Sequence, residues 1–411
     1  MRILFISAFY PPHVVGGWEQ LVRDINVRLQ ARGHLTHVLT STHGVVGPQY
    51  EPGVSRLLHM EANLHHYRPL DFLGHKRRLA ENLAHVRRAI ADFQPDVVFV
   101  HGMFNLSRGI AWQAEQLCPG RVVYYVANDW PHAPDPHTAY WTDPARWGLQ
   151  NMLKRLLAPL PLRMIARENR RFALKFERVL CVSQAVKVDL AANAGIPSQN
   201  LQVVYNGVET DLFTPPAHPH LNGLSLLYAG SLVTHKGVHT AIEAMARLAL
   251  SGQIKGITLS IVGSGHPDYE AHLSALVEQT GLQPHVHFLG RVPREEMPAL
   301  LQKFNVLVFP SIWEEPLSRM MQEGMAAGLV VVGTLTGGSG ELLVEGQTGL
   351  TFPPGNADVL AQRLTELQHN PALLARLAQH GRADVLARFG LTRMIDEIET
   401  SLVGVVSPQP A

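Results

Sequence analysis

The stretch that most constrains this chain runs from Val306 to Val332. An apolar run, Val306 to Phe309, leads into WEEPLSRMMQEGMAAG (Trp313 to Gly328), and a second apolar run, Leu329 to Val332, follows it. Two short β-branched runs flanking a helix-length segment are the grammar of a βαβ unit in a parallel sheet. Pro316 suits the first turn of that helix and Gly328 suits its end, so the helix is predicted to begin at about Pro316. Its free backbone N–H groups near Leu317, Ser318 and Arg319, with the positive end of the dipole, suit a phosphate or diphosphate. Glu315 sits just before the helix and Glu323 about two turns inside it. Two carboxylates so placed can accept hydrogen bonds from hydroxyls on either side of a diphosphate, such as a sugar and a ribose. Spacing alone favours a plainer reading, in which Glu315 partners the helix dipole and Glu323 is a solvated helix residue.

The same alternation recurs along the chain, and 411 residues are enough for two domains with separate cores. Arg2 to Ser7 reads as a buried strand, Ala8 to Gly17 as a Pro- and Gly-rich loop, Trp18 to Ala31 as a helix and Thr36 to Thr40 as the next strand. That opening is doubly wound α/β, with the loop at the ligand-binding edge of the sheet. Gly16 and Gly17 there let backbone approach a ligand, although an isolated pair is an ordinary turn. His101 closes the strand Val97 to Val100, and Asn128 with Asp129 closes Val122 to Val126. Residues at such strand ends face the crevice, with loop capping as the alternative. Leu224 to Ala229 opens a second domain after a Pro- and His-rich linker, and Gly230 to Gly237 (GSLVTHKG) precedes the helix Val238 to Leu250. Ile257 to Val262 ends in Gly263-Ser264-Gly265, and Val286 to Gly290 leads through Arg291-Val292-Pro293 into a helix from Arg294 to Lys303.

Glu-Pro, seven intervening positions, a second Glu and then Gly-Met-Ala-Ala-Gly resemble the donor-binding signature of GT-B retaining glycosyltransferases, the large family numbered four. The resemblance covers nearly the whole chain and implies two Rossmann-like domains facing across a cleft. It places them at residues 1–205 on the acceptor side and 206–390 for a nucleotide-sugar donor, with 391–411 a helix and tail returning to the first domain. It further implies that Glu315 binds sugar hydroxyls, Glu323 the ribose, and Lys236 with Leu317, Ser318 and Arg319 the diphosphate. Gly16 and Gly17 would lie beside sugar and diphosphate, Gly263 and Gly265 near the nucleotide, and Arg291 and Val292 by the base. No cofactor or metal is implied beyond the donor itself, a UDP- or GDP-sugar, and the acceptor is a glycan, lipid or small molecule. The chain departs from the family in three places: Leu317-Ser318 replaces Phe-Gly, Ser231 replaces an arginine that pairs with the lysine, and Asn128 replaces a histidine facing the donor sugar. The second leaves weaker phosphate affinity or compensation from Arg319 or Arg291. The third leaves His101 as a substitute, since asparagine can hydrogen-bond a sugar but cannot shuttle a proton.

Charge is uneven. Residues 1–205 hold 23 Lys and Arg against 15 Asp and Glu, and residues 206–411 hold 12 against 19. An anionic partner for the first half, or attraction between the halves, accounts for this equally. Arg146 to Arg178 concentrates nine basic residues against Glu168 and Glu177, interleaved with Leu, Met, Ile and Phe. With Leu153, Leu156 and Leu157 beside Lys154 and Arg155, the segment suits an anionic lipid surface or a core-facing helix with a basic outer side. Motifs for reading nucleic-acid grooves are absent, so nucleic acid is not an expected partner. His43, His59, His65, His66 and His75 occupy an irregular region without helical metal spacing, read as acceptor-facing loop. MRILFIS reads as a first strand rather than a signal, no run of 18 apolar residues occurs, and Cys118 and Cys181 show no metal or disulfide pattern. A cytoplasmic enzyme, with peripheral contact at the inner membrane face, is the expectation. The different-class alternative is a catalytically weak nucleotide-sugar-binding protein. A dehydrogenase is disfavoured, because no GxGxxG follows the first strand.

Overall fold

The computed structural model describes residues 1–13, 17–64, 67–143, 149–217 and 223–406. The chain forms two compact units, one of Met1–Val182, Val186–Val204 and Ile395–Ala411, the other of Ser183–Ala185 and Tyr205–Met394.

The first unit is built on strands β1 (Arg2–Ser7), β2 (Leu35–Ser41), β3 (Gln49–Glu51), β4 (Val54–Leu58), β5 (Val97–His101), β6 (Val122–Val126), β7 (Val179–Cys181) and β8 (Leu201–Val203). They lie in the order β3-β4-β2-β1-β5-β6-β7-β8, parallel except for the β3–β4 hairpin. Strands β5 and β6 (VVFVH, VVYYV) are buried along their whole length, as strands covered on both faces must be. The helix Trp18–Ala31 crosses from β1 to β2 and buries Leu21, Val22, Ile25 and Leu29. The last helix, Leu391–Val406, buries Ile395, Ile398 and Leu402. Its Asp396 and Glu399 accept from Arg32 at 2.6 and 2.5 Å, which ties it to the end of that first crossover helix.

The second unit holds β9 (Leu224–Ala229), β10 (Ile257–Val262), β11 (Val286–Gly290), β12 (Val306–Phe309), β13 (Val330–Gly333) and β14 (Gly349–Thr351). Their order is β11-β10-β9-β12-β13-β14, all parallel. The strand order reverses between β9 and β12. Ligands of doubly wound sheets bind at such a switch point, outside the carboxyl ends of the strands. The loops that flank it are Gly230–Gly237 and Pro310–Ser318. Behind it lies one apolar core, in which Leu226, Ile242, Met245, Leu259, Val308 and Leu360 are fully or almost fully buried.

Candidate functional site

The two switch-point loops of the second unit meet through an ion pair. The helix Val238–Leu250 follows a single 3-10 turn, Thr234–Lys236, which aims the lysine back across the sheet edge. Lys236 Nζ contacts Glu315 Oε1. Ser311 Oγ donates to the same carboxylate oxygen at 2.8 Å, and Glu315 is only 7% exposed. Its backbone carbonyl accepts from Gly338 N at 2.6 Å, so the TGGSGE loop packs directly on the Glu315 backbone. A Cβ at Gly337 would stand 2.3 Å from that carbonyl, so this approach requires glycine. Burial pushes the Tyr228 hydroxyl well above its ordinary value, with the Glu315 charge adding to it, and the phenol donates to the Ser231 carbonyl at 2.9 Å. Burial, then Lys236, lower His235.

The helix after β12 differs from the sequence expectation. It spans Arg319–Ala326, with Ser318 as N-cap and the Ser318 hydroxyl accepting from Met321 N at 3.3 Å. Pro316 therefore precedes the helix rather than opening it. The reason is that the serine offers a side-chain acceptor for a first-turn N–H, which a proline start lacks. Leu317 is buried at 6% and its carbonyl accepts from Asn206 Nδ2 at 3.3 Å. Gln322 Nε2 donates to the Asn206 side chain at 2.8 Å and to its carbonyl at 3.2 Å. The Asn206-Gly207-Val208 turn is thus the brace that fixes the helix start.

Glu323 is not a solvated helix residue. It is 2% exposed, and Arg294 grips both of its oxygens, one of them at 2.5 Å, while Arg319 Nε lies 3.8 Å away. The Arg294 guanidinium also lies 5.4 Å from the centroid of the buried Phe213 ring. Sequence reasoning passed over Arg294 because its partner lies in a different element. Arg291 is exposed and Val292 half-buried in the loop after β11, whereas Ser231 is exposed beside Lys236. Gly263 and Gly265 are required by backbone packing. A Cβ on Gly263 would stand 1.8 Å from the Gly230 carbonyl, and one on Gly265 would stand 1.9 Å from that of Leu232.

The candidates of the first unit are arranged differently. His101 is fully buried at the end of β5, its Nδ1 2.8 Å from the Tyr125 carbonyl and its Nε2 3.1 Å from that of Trp18. Burial lowers its pKa against the pull of those two carbonyls. With both ring nitrogens turned to backbone, it pins the start of the first crossover helix and is removed from the acid–base candidates. Asn128 is half-buried, and its Oδ1 accepts from Trp130 N at 3.4 Å, the loop-capping role. Gly17 caps the first crossover helix with φ −95°, and the space its side chain would fill is open. Gly16 lies outside the described residues, as do His65, His66, Arg146 and Trp147.

In the basic segment, the helices Leu149–Leu157 and Pro159–Arg171 leave Met152, Leu156, Leu157 and Leu160 exposed. Lys154 lies over the Tyr140 ring at 4.2 Å. The Leu153 side chain lies outside the described residues. Among the described residues, no helix is long and apolar enough to cross a membrane.

Two family models match the chain: Glycosyltransferase Family 4 over residues 15–212 and Glycosyl transferases group 1 over residues 217–384. A glycogen synthase from Mycobacterium tuberculosis is 26% identical over 410 residues, spanning 95% of this chain and 91% of that protein. Among solved structures, sucrose-phosphate synthase from Thermosynechococcus elongatus superposes with TM-score 0.73 at 21% identity, covering 98% of each chain. HepE from Anabaena, solved in complex with UDP-glucose, gives 0.69 at 21% identity, over 98% of this chain and 100% of that one. These likenesses show the fold, and with the two family matches they fix the assignment. The chain belongs to the family 4, group 1 glycosyltransferases, and its two units are Rossmann-like domains of the GT-B fold.

Proposed function

We propose that this protein is a retaining glycosyltransferase that moves a sugar from a nucleotide diphosphate sugar to an acceptor hydroxyl. The observation that carries this reading is the Lys236–Glu315 contact across the switch point, beside the Ser318-capped helix start. It joins a compact cation, a buried carboxylate and oriented backbone N–H groups at one sheet edge. In this reading Lys236 and the N–H groups of Arg319 and Met320 bind the donor diphosphate. Glu315 turns from lysine to sugar hydroxyls, and Glu323 accepts from the ribose. A carboxylate gripped by one guanidinium retains a lone pair on each oxygen, so Arg294 can stay in place while Glu323 takes a ribose hydroxyl.

The bond from the anomeric carbon to the diphosphate oxygen breaks, and the departing nucleoside diphosphate takes the electron pair. The acceptor oxygen bonds to the same face of that carbon, and its proton passes to the departing diphosphate oxygen. Stabilisation of the leaving diphosphate by Lys236 and the helix start is the main catalytic contribution. Neither Glu315 nor Glu323 is a nucleophile. UDP- and GDP-sugars are the donors to test first, with glycan, lipid-linked and small-molecule acceptors. The exposed Met152, Leu156, Leu157 and Leu160 beside Lys154 and Arg155 support peripheral docking on anionic lipid, which would suit a lipid-linked acceptor at the cytoplasmic face. The test is acceptor-dependent release of nucleoside diphosphate with NMR of the product. A product that keeps the donor's anomeric configuration supports the reading, and an inverted product contradicts it.

A further inference from the structure

Separated segments of the first unit converge on one buried acid. Glu61, just after β4, is 5% exposed, His75 opens the helix His75–Phe93 at 7%, and His137 lies in the first turn of Pro136–Thr142 at 1%. Glu61 Oε2 lies 2.6 Å from His75 Nδ1 and 2.9 Å from His137 Nε2. Beyond each ring stands a second partner. His75 Nε2 is 2.7 Å from Glu168 Oε2, and His137 Nδ1 is 2.7 Å from the Tyr67 hydroxyl. One ligand-capable atom from each of Glu61, His75 and His137 lies within 4.8 Å of the other two.

Two imidazoles and a carboxylate turned to one point are a donor set for a divalent transition metal. The outer partners strengthen that reading. Metal-bound imidazoles hold their other nitrogen to a carboxylate or similar acceptor, which fixes the ring and raises its basicity. Glu168 and Tyr67 stand where such partners belong.

Tetrahedral bonds of about 2.0–2.1 Å separate ligand atoms by about 3.3 Å, so the acid needs to retreat by about half an ångström. Glu61 also lines a cavity of about 450 Å³ with Thr42, His59 and Asn63.

We propose that Glu61, His75 and His137 bind one divalent transition-metal ion, zinc being the best match, with Glu168 and Tyr67 as its outer hydrogen-bond partners. The ion ties Glu61 and the start of the helix His75–Phe93 to the helices Pro136–Thr142 and Pro159–Arg171. Its role is structural, and the donor half of the protein does not depend on it. Spacing hid the set, because Glu61 and His137 are 76 positions apart.

The test uses the full chain, stripped with chelator and dialysed, and titrated with Co²⁺ and then Zn²⁺. The expected result is one equivalent of Co²⁺ with visible absorption of a four-coordinate site, displaced by Zn²⁺, and a raised melting temperature. His137→Ala and Glu61→Gln abolish the band, while Glu168→Gln and Tyr67→Phe, which keep all three ligands, weaken affinity by about 10–100-fold. Folded protein, judged by circular dichroism, that gives no band and retains no zinc at one equivalent overturns the proposal and leaves a purely hydrogen-bonded cluster. Unchanged Co²⁺ binding in His137→Ala, or in Glu168→Gln should the ligand variants not fold, overturns it equally.

Discussion

Arg294 donates from both terminal nitrogens to the two carboxylate oxygens of Glu323, and the arginine side chain remains 40% exposed while that of the acid is 2% exposed. The buried acid is thus gripped by a side chain that water still reaches. Arg294→Ala strands the carboxylate and should destabilise the second unit by about 1–3 kcal/mol. On a unit of this size that lowers a melting temperature by roughly 2–4 °C per kcal/mol. The same variant should raise the donor KM about tenfold with little change in kcat, because Glu323 loses its orientation rather than the reacting atoms losing a contact. Glu323→Ala should do at least as much, and the double variant should fall short of the sum by about 0.5–3 kcal/mol, as for any contacting pair. Additive effects would contradict a shared role.

Lys236 carries the largest share of the proposed chemistry. Lys236→Ala should lower kcat/KM by about 10²–10³-fold, the cost of removing one preorganised donor from developing negative charge. Lys236→Arg should recover only part, since a planar fork replaces a compact charge. Steady-state release of nucleoside diphosphate measures both. A change of less than threefold in Lys236→Ala would place the diphosphate elsewhere.

Asn206 is a structural brace and should behave as one. Asn206→Ala removes both side-chain partners of a buried amide network with Gln322 and Leu317. The expected loss is about 1–3 kcal/mol of stability in urea unfolding. In the proposed function the helix start it fixes also binds the diphosphate, so donor affinity should fall in parallel. Stability lost with donor affinity intact would separate the brace from the site.

Much of this fold was legible in the sequence for a simple reason. Strands buried on both faces, such as β5, β6 and β12, are uninterrupted apolar runs, and β9, β10 and β12 stand where those runs predict. The helix start at Pro316 was misread because proline suits both the first turn and the residues before an N-cap. Ser318, two positions on, supplied the actual cap. Gly263 and Gly265 are needed where two loops touch backbone to backbone, a requirement that the sequence does not display. His101 read as a crevice residue, yet its ring points into the sheet edge at two carbonyls, and nothing in a single sequence distinguishes those directions. Arg294 was illegible as a partner because Glu323 is 29 positions away in another element. Glu315, Lys236 and Glu323 were singled out through the family's motif, and the structure gives their partners.

The last helix supplies a pH dependence. The His34 ring, with Arg32 and against a modest burial cost, holds Glu399 below the usual carboxylate range. A depressed folded pKa means stability that is present above the ordinary glutamate value of about 4.5 and lost as pH falls through the folded value. Hydrogen exchange of residues 395–406 should therefore quicken below about pH 4.5, before the sheet exchanges. Glu399→Gln should show fast exchange at neutral pH and little further change in acid. An acid response that survives in Glu399→Gln would assign it to another group.

The most direct test of the central claim is binding and turnover of a panel of nucleotide diphosphate sugars by wild type, Lys236→Ala and Glu323→Ala. The account predicts that one nucleotide raises the melting temperature and is released from its sugar, and that both variants lose the shift while remaining folded. If no nucleotide sugar binds wild type at millimolar concentration, or if the shift persists in both variants, the switch point between β9 and β12 is not the donor site.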